Sequence, residues 1–196
     1  KANPIPGSSD PANCRDCSAG TFQPVAGKAA CDKCVAGKYQ PFLGGSECFV
    51  CGAGNYSSNV LSCAKCSPGT YQPVAGKAAC DKCAAGKYQP FLGASECIVC
   101  GAGNYSSNVL SCEPCQVGEY CPAGSVVGTA CPLRSTTEGR GAKKLDDCGC
   151  PAGTFDAAAD HEISCEPCDD DRMNCTRTGL SLATVPLPPS RWRLAV

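Results

Sequence analysis

The chain has 196 residues, 21 of them cysteine, a net charge of −1 and only 6% aromatic residues. Cysteine at that density exceeds the roughly 8–10% that marks a disulfide scaffold, and without long apolar runs the chain cannot bury one large core, so cross-links must supply its stability. A balanced charge offers no general attraction to nucleic acid or to a membrane surface, so neither is expected as a partner of this segment.

Residues 1–13 (KANPIPGSSDPAN) hold three prolines and no cysteine and read as an extended, helix-free arm. From Cys14 a 49-residue stretch, 14–62, is followed directly by a second copy, 63–111, identical at 42 positions. Each copy contains three shorter modules that open with Cys-x-x-Cys. These pairs begin at 14, 31, 48, 63, 80, 97 and 112, a periodicity that signals an array. Residues 112–147 form an irregular cysteine-rich unit, 148–175 a divergent one, and 176–196 an extended Pro-rich tail with the one Trp. Lys1 and Val196 both fall within a continuing pattern, so the chain reads as a mature or partial segment of a longer polypeptide.

Gly-x-aromatic recurs after the cysteine pairs, so that eight of the eleven Phe and Tyr residues share one slot: Phe22, Tyr39, Tyr56, Tyr71, Tyr88, Tyr105, Tyr120 and Phe155. An aromatic there is expected to lie across the preceding disulfide and stand in for a missing core. Gln-Pro follows in four modules, at Pro24, Pro41, Pro73 and Pro90, with a Gly three residues on, which is turn chemistry. The expected fold is small and disulfide-rich, mostly irregular with short β-hairpins: an elongated tandem-repeat rod without a single hydrophobic core.

Joining the second Cys of each pair to the first of the next closes similar loops: Cys17–Cys31, Cys34–Cys48, Cys51–Cys63, Cys66–Cys80, Cys83–Cys97 and Cys100–Cys112. Continuing in order gives Cys115–Cys121, Cys131–Cys148, Cys150–Cys165 and Cys168–Cys175, with Cys14 left unpaired. An interleaved scheme, Cys14–Cys31 with Cys17–Cys34, is the rival. Cys14, Cys17, Cys31 and Cys34 also have a spacing that a four-thiolate zinc site accepts. Against zinc stand the seven-fold repetition, a single histidine and the interspersed glycosylation sequons. Redox Cys-x-x-Cys chemistry needs an activated thiol beside a helix N-terminus, which seven copies on loops do not supply.

Asn-x-Ser/Thr occurs at Asn55, Asn104 and Asn174. If Tyr56 and Tyr105 pack inward, strand alternation turns Asn55 and Asn104 to solvent, where an N-glycan belongs. His161 lacks a nucleophile or second His and reads as a surface residue. Asp169, Asp170 and Asp171 could attract calcium but lack the spaced ligands and turn Gly of a calcium loop, so they read as acidic surface. Residues 145–171 carry nine acids and no Lys or Arg, whereas 14–112 carry eight basic and five acidic residues. That asymmetry suits head-to-tail registration of neighbours, or simply a solvated acidic face. No phosphate loop, acid–base pair or Ser-His-Asp set is present, so no enzyme and no cofactor beyond N-linked glycans is expected.

The repeated Cys-x-x-Cys-x-x-Gly-Thr-[Phe/Tyr], with a Gly midway to the next pair, resembles the ephrin-receptor-like cysteine-rich repeat over roughly 14–175. That module is related in style to tumour-necrosis-factor-receptor and growth-factor-like (EGF-like) repeats. The tail Leu182-Ala-Thr-Val-Pro-Leu-Pro-Pro-Ser-Arg-Trp192-Arg193 looks like Leu-x-x-x-Pro-Leu-x-Pro-Gly-Tyr-Trp-Arg, which follows such repeats in long algal and protist surface proteins. Ser190 and Arg191 depart from its Gly-Tyr. The resemblance implies extracellular stalks, spacers and assembly surfaces without catalysis. The expected role is therefore a glycosylated structural segment that packs with other chains, copies of itself foremost, in a cell-surface filament or a ciliary or flagellar hair (mastigoneme). The alternative is the stalk or ligand-binding ectodomain of a receptor or adhesion protein, with binding concentrated in 115–175.

Overall fold

The computed structural model describes residues 14–157, 163–168, 175 and 179. The arm 1–13, His161, Asp169–Asp171, Asn174 and all of the tail 176–196 except Gly179 lie outside the described residues.

Among the described residues sixteen very short strands follow one another. They are β1 (Thr21–Phe22), β2 (Asp32–Lys33), β3 (Lys38–Tyr39), β4 (Phe49–Val50), β5 (Asn55–Tyr56), β6 (Ala64–Lys65), β7 (Thr70–Tyr71) and β8 (Asp81–Lys82). Then come β9 (Lys87–Tyr88), β10 (Ile98–Val99), β11 (Asn104–Tyr105), β12 (Glu113–Pro114), β13 (Glu119–Tyr120), β14 (Thr129–Ala130), β15 (Thr154–Asp156) and β16 (Cys165–Pro167). A 3-10 turn covers Leu145–Asp147. No helix among the described residues is long and apolar enough to cross a membrane.

One rule builds every regular hairpin. The first strand is the x-aromatic dipeptide, and the second is the pair of residues between the two cysteines. Thus Thr21 faces Lys33 and Phe22 faces Asp32 in an antiparallel pair, and Lys38 faces Val50 as Tyr39 faces Phe49. Ahead of the first strand a tight turn closes from the Thr21 N–H to the Ser18 carbonyl at 3.0 Å. Its third residue, Gly20, has φ +82°, the left-handed value that a type II turn requires at that position. The same turn recurs at Gly37, Gly54, Gly69, Gly103, Gly118 and Gly153. Arg134 occupies that slot with φ +65° in the module after Cys131.

Disulfides tie these hairpins together. The bonds are Cys17–Cys31, Cys34–Cys48, Cys51–Cys63, Cys66–Cys80, Cys83–Cys97, Cys100–Cys112, Cys115–Cys121, Cys131–Cys148, Cys150–Cys165 and Cys168–Cys175. Cys14 is a half-buried free thiol. The interleaved scheme is absent, and Cys17, Cys31 and Cys34 are consumed in disulfides, so the four-thiolate set that zinc needs does not form there.

The described residues fall into two compact units, one holding those up to 84 with 88–98, the other 85–87 with those from 99 onward. In the first unit backbone hydrogen bonds also join each module to the next. The Gly20 N–H donates to the Gln40 carbonyl at 2.7 Å, the Gln23 N–H to that of Gly45 at 3.0 Å, and the Gly44 N–H back to that of Cys17 at 2.7 Å. Gly54 with Gln72, Gln72 with Ala94, and Gly93 with Cys66 continue the set. Contact also reaches two modules on, since a Cβ on Gly37 would overlap the Gly76 carbonyl oxygen, and one on Gly54 that of Gly93. The second unit repeats the arrangement, with Gly103 bonded to Cys121 and Gly124 to Cys100, and with Gly86 against Gly124 and Gly103 against Gly141.

The buried apolar residues are sulfur, almost without exception. Among the described residues they are twelve cysteines and Phe155. The second Cys of a pair is buried and the first is half-exposed, as with Cys17 and Cys31. Apart from Phe155 at 9% exposure, the aromatic slot is only half-buried. The expectation that these rings replace a core is therefore corrected: two-residue strands give them one flank to lean on, and the disulfide itself takes the centre.

Candidate interaction surface

Six residues beyond the second cysteine of each of the seven regular pairs lies a second buried position that sequence reasoning missed. Gln23, Gln40, Gln72 and Gln89 occupy it at 3–7% exposure. Each amide is used twice. Gln40 donates from Nε2 to the Glu47 carbonyl at 2.7 Å and accepts at Oε1 from the Phe42 N–H at 3.1 Å. Gln23, Gln72 and Gln89 make the same two bonds to their own turns. A buried amide with both ends satisfied is a fixed strut, and it pins a hairpin tip too irregular for a strand ladder. The available signal was the unvarying step from cysteine to glutamine in four modules.

Other tips use smaller groups in this position. Ser106 donates to the Ser111 carbonyl at 2.8 Å and to that of Asn108, and Thr137 donates to Gly139 while accepting from the Gly118 N–H at 3.1 Å. Cys121 fills the position in the module after Cys115, and the site where that module's first cysteine belongs, three residues before Cys131, is Gly128. The disulfide has thus moved from the flank of the hairpin to its strut, as Cys115–Cys121.

The sequons sit on these hairpins. Asn55 and Asn104 are half-buried and not turned fully to solvent, and the Asn55 amide donates to the Ala53 carbonyl at 3.0 Å. The hydroxyl residues of the two sequons, Ser57 and Ser106, are buried. Strand alternation fails as a guide because each strand is two residues long and twists straight into a turn.

The tips leave apolar groups outside. Phe42, Leu43, Phe91 and Leu92 are 64–73% exposed. A polar cavity of about 530 Å³ lies in the second unit, lined by residues that include Thr137, Glu138, Arg140, Asp147 and Asp156. On its rim Lys144 pairs with Asp146 at 3.0 Å, both side chains exposed, and the bond to that carboxylate holds the lysine pKa above its usual value. The Asp147 carboxylate accepts the Lys143 N–H at 2.6 Å and the Lys144 N–H, and the Lys143 bond above all lowers its pKa. The described residues contain no cluster of three or more His, Cys, Asp or Glu suited to a metal.

Compared with known proteins, residues 8–48 and 54–96 match the family described as tyrosine-protein kinase ephrin type A/B receptor-like. No curated protein matches the chain. Ten disulfides in tandem belong to an oxidising, extracellular setting, and the family agrees with it. With a Cys-x-x-Cys pair, a left-handed glycine and a stapled hairpin recurring through both, the stretches 8–48 and 54–96 are ephrin-receptor-like cysteine-rich repeats, a match that covers less than half of the chain.

Proposed function

We propose that this chain is a structural spacer and packing segment of an extracellular assembly, a glycosylated, disulfide-stapled array whose partners are copies of itself. A cell-surface filament or ciliary or flagellar hair of the mastigoneme type fits it best. The observation that carries this reading is repetition: successive modules dock through the same backbone bonds, and duplicate modules expose the same side chains at their tips. A ligand-binding protein needs one module unlike the rest, whereas a building material needs many alike. N-glycans on Asn55 and Asn104 belong to the proposal. Because Ser57 and Ser106 are buried, an enzyme that reads Asn and hydroxyl together must act before the hairpin closes.

Electron microscopy of the purified, glycosylated protein tests it. Ordered assemblies of constant spacing are expected, and separate chains at every concentration would overturn it. The second reading is a receptor or adhesion ectodomain. It draws on the family description and on the cavity in the second unit, lined mainly by residues between 136 and 156. It requires a ligand lost on changing that region alone.

A further inference from the structure

The first compact unit holds four long tips, residues 24–30, 41–47, 73–79 and 90–96, and they come in two kinds. One kind presents a valine and a lysine: Val25 and Val74 are each 53% exposed, with exposed Lys28 and Lys77 three residues on. The other presents Phe-Leu and a glutamate: Phe42 and Leu43 are 66% and 73% exposed, Phe91 and Leu92 68% and 64%, with exposed Glu47 and Glu96 beyond them. Buried Gln struts fix each tip at both ends, so the apolar side chains are held out and cannot fold back. Among the described residues the ion pair is Lys144–Asp146, and none of these four charges has a partner among them.

The order of the tips says what covers them. From Val25 to Phe42, Val74 and Phe91 the steps are 17, 32 and 17 residues, the same read from either end, while the kinds alternate. In chain order, a second copy running the opposite way therefore pairs every Val-Lys tip with a Phe-Leu-Glu tip: Lys28 with Glu96, Lys77 with Glu47, and the reverse. A parallel copy shifted by one tip matches fewer and leaves the end tips bare. Two-fold pairing of this kind makes the same patch serve both partners, and opposite charges around an apolar contact select the register.

We propose that these four tips form a self-complementary surface that docks an antiparallel second copy of this chain. This rests on the packing role proposed above and names the surface that performs it. Sedimentation velocity tests it on the wild type, on Glu47→Lys/Glu96→Lys and on Lys28→Glu/Lys77→Glu, with unchanged non-reducing peptide maps as proof of folding. The wild type should dimerise, each variant alone should bind itself at least tenfold more weakly, and their equimolar mixture should recover the dimer because all four charge pairs re-form. Phe42→Ser/Phe91→Ser should lose the dimer. If the wild type self-associates but neither the reversals nor the serines alter it, the tips are not the surface, although the packing role stands. If the wild type remains monomeric at every concentration, both fall, and so they do if a different protein but no second copy binds the tips.

Discussion

Gly37 and Gly27 differ in one respect that decides what each is for. Both are left-handed, at φ +85° and +82°, so alanine at either meets the roughly 1–2 kcal/mol penalty of that conformation. At Gly27 nothing lies within 4 Å of the added methyl, whereas at Gly37 it strikes the Gly76 backbone carbonyl two modules on. Backbone cannot rotate aside as a side chain can, so overpacking should add about 1–3 kcal/mol. Denaturant unfolding under non-reducing conditions should find Gly37→Ala less stable than Gly27→Ala by that margin. Equal losses would mean that the two backbones do not meet. Gly37 itself could be read from the sequence as a turn glycine. Its second duty could not, because it arises only when modules dock.

A module is a hairpin held by three devices: a left-handed turn, a disulfide and a strut. The first two are local: the even spacing of cysteines offered the observed bond beside an interleaved rival, and the turn was legible from Gly-x-aromatic. The strut was not, because Gln23 and its equivalents look like polar surface until both ends of the amide are seen to be bonded. The aromatic slot was misjudged for a related reason, since a strand as short as Tyr39 with Lys38 cannot enclose a ring. Tyr39 meets Phe49 across the hairpin at 5.6 Å between ring centres, a cross-strand pair on an open face. The module after Cys115 shows the devices to be exchangeable, with Cys121 in the strut position and Gly128 where a cysteine is due. Restoring the common pattern with Cys121→Ser and Gly128→Cys should therefore give a folded chain whose non-reducing peptide map contains Cys115 joined to residue 128. The atoms nearest a Cβ at 128 belong to the Glu119 side chain, whose carboxylate can swing away. Cys115 left free, or paired elsewhere, would show that this module depends on its own arrangement.

Across the whole chain the balance of forces is unlike that of a globular domain. Bonds span 6 to 17 residues, and in the chain-entropy model a loop of about 15 residues restricts the unfolded state by roughly 3 kcal/mol. What is removed from water is mainly the sulfur bridges themselves, so hydrophobic burial has little left to contribute once they open. Backbone bonds between modules, such as Gly54 to Gln72 at 2.7 Å, are each worth about 1 kcal/mol net and exist only while both hairpins hold their shape. Complete reduction in the absence of denaturant should therefore abolish protection everywhere, seen as loss of amide exchange protection and rapid proteolysis through 14–157. A chain that kept its protection after every disulfide was reduced would need an apolar interior that the composition does not supply. Partial reduction separates the scales: breaking Cys34–Cys48 alone should expose its own tip and the docking bonds of Gly20 and Gly37, because those bonds join that hairpin to its neighbours. Modules four or more steps away share no bond with it, so they should stay protected, as nearest-neighbour coupling in an array requires.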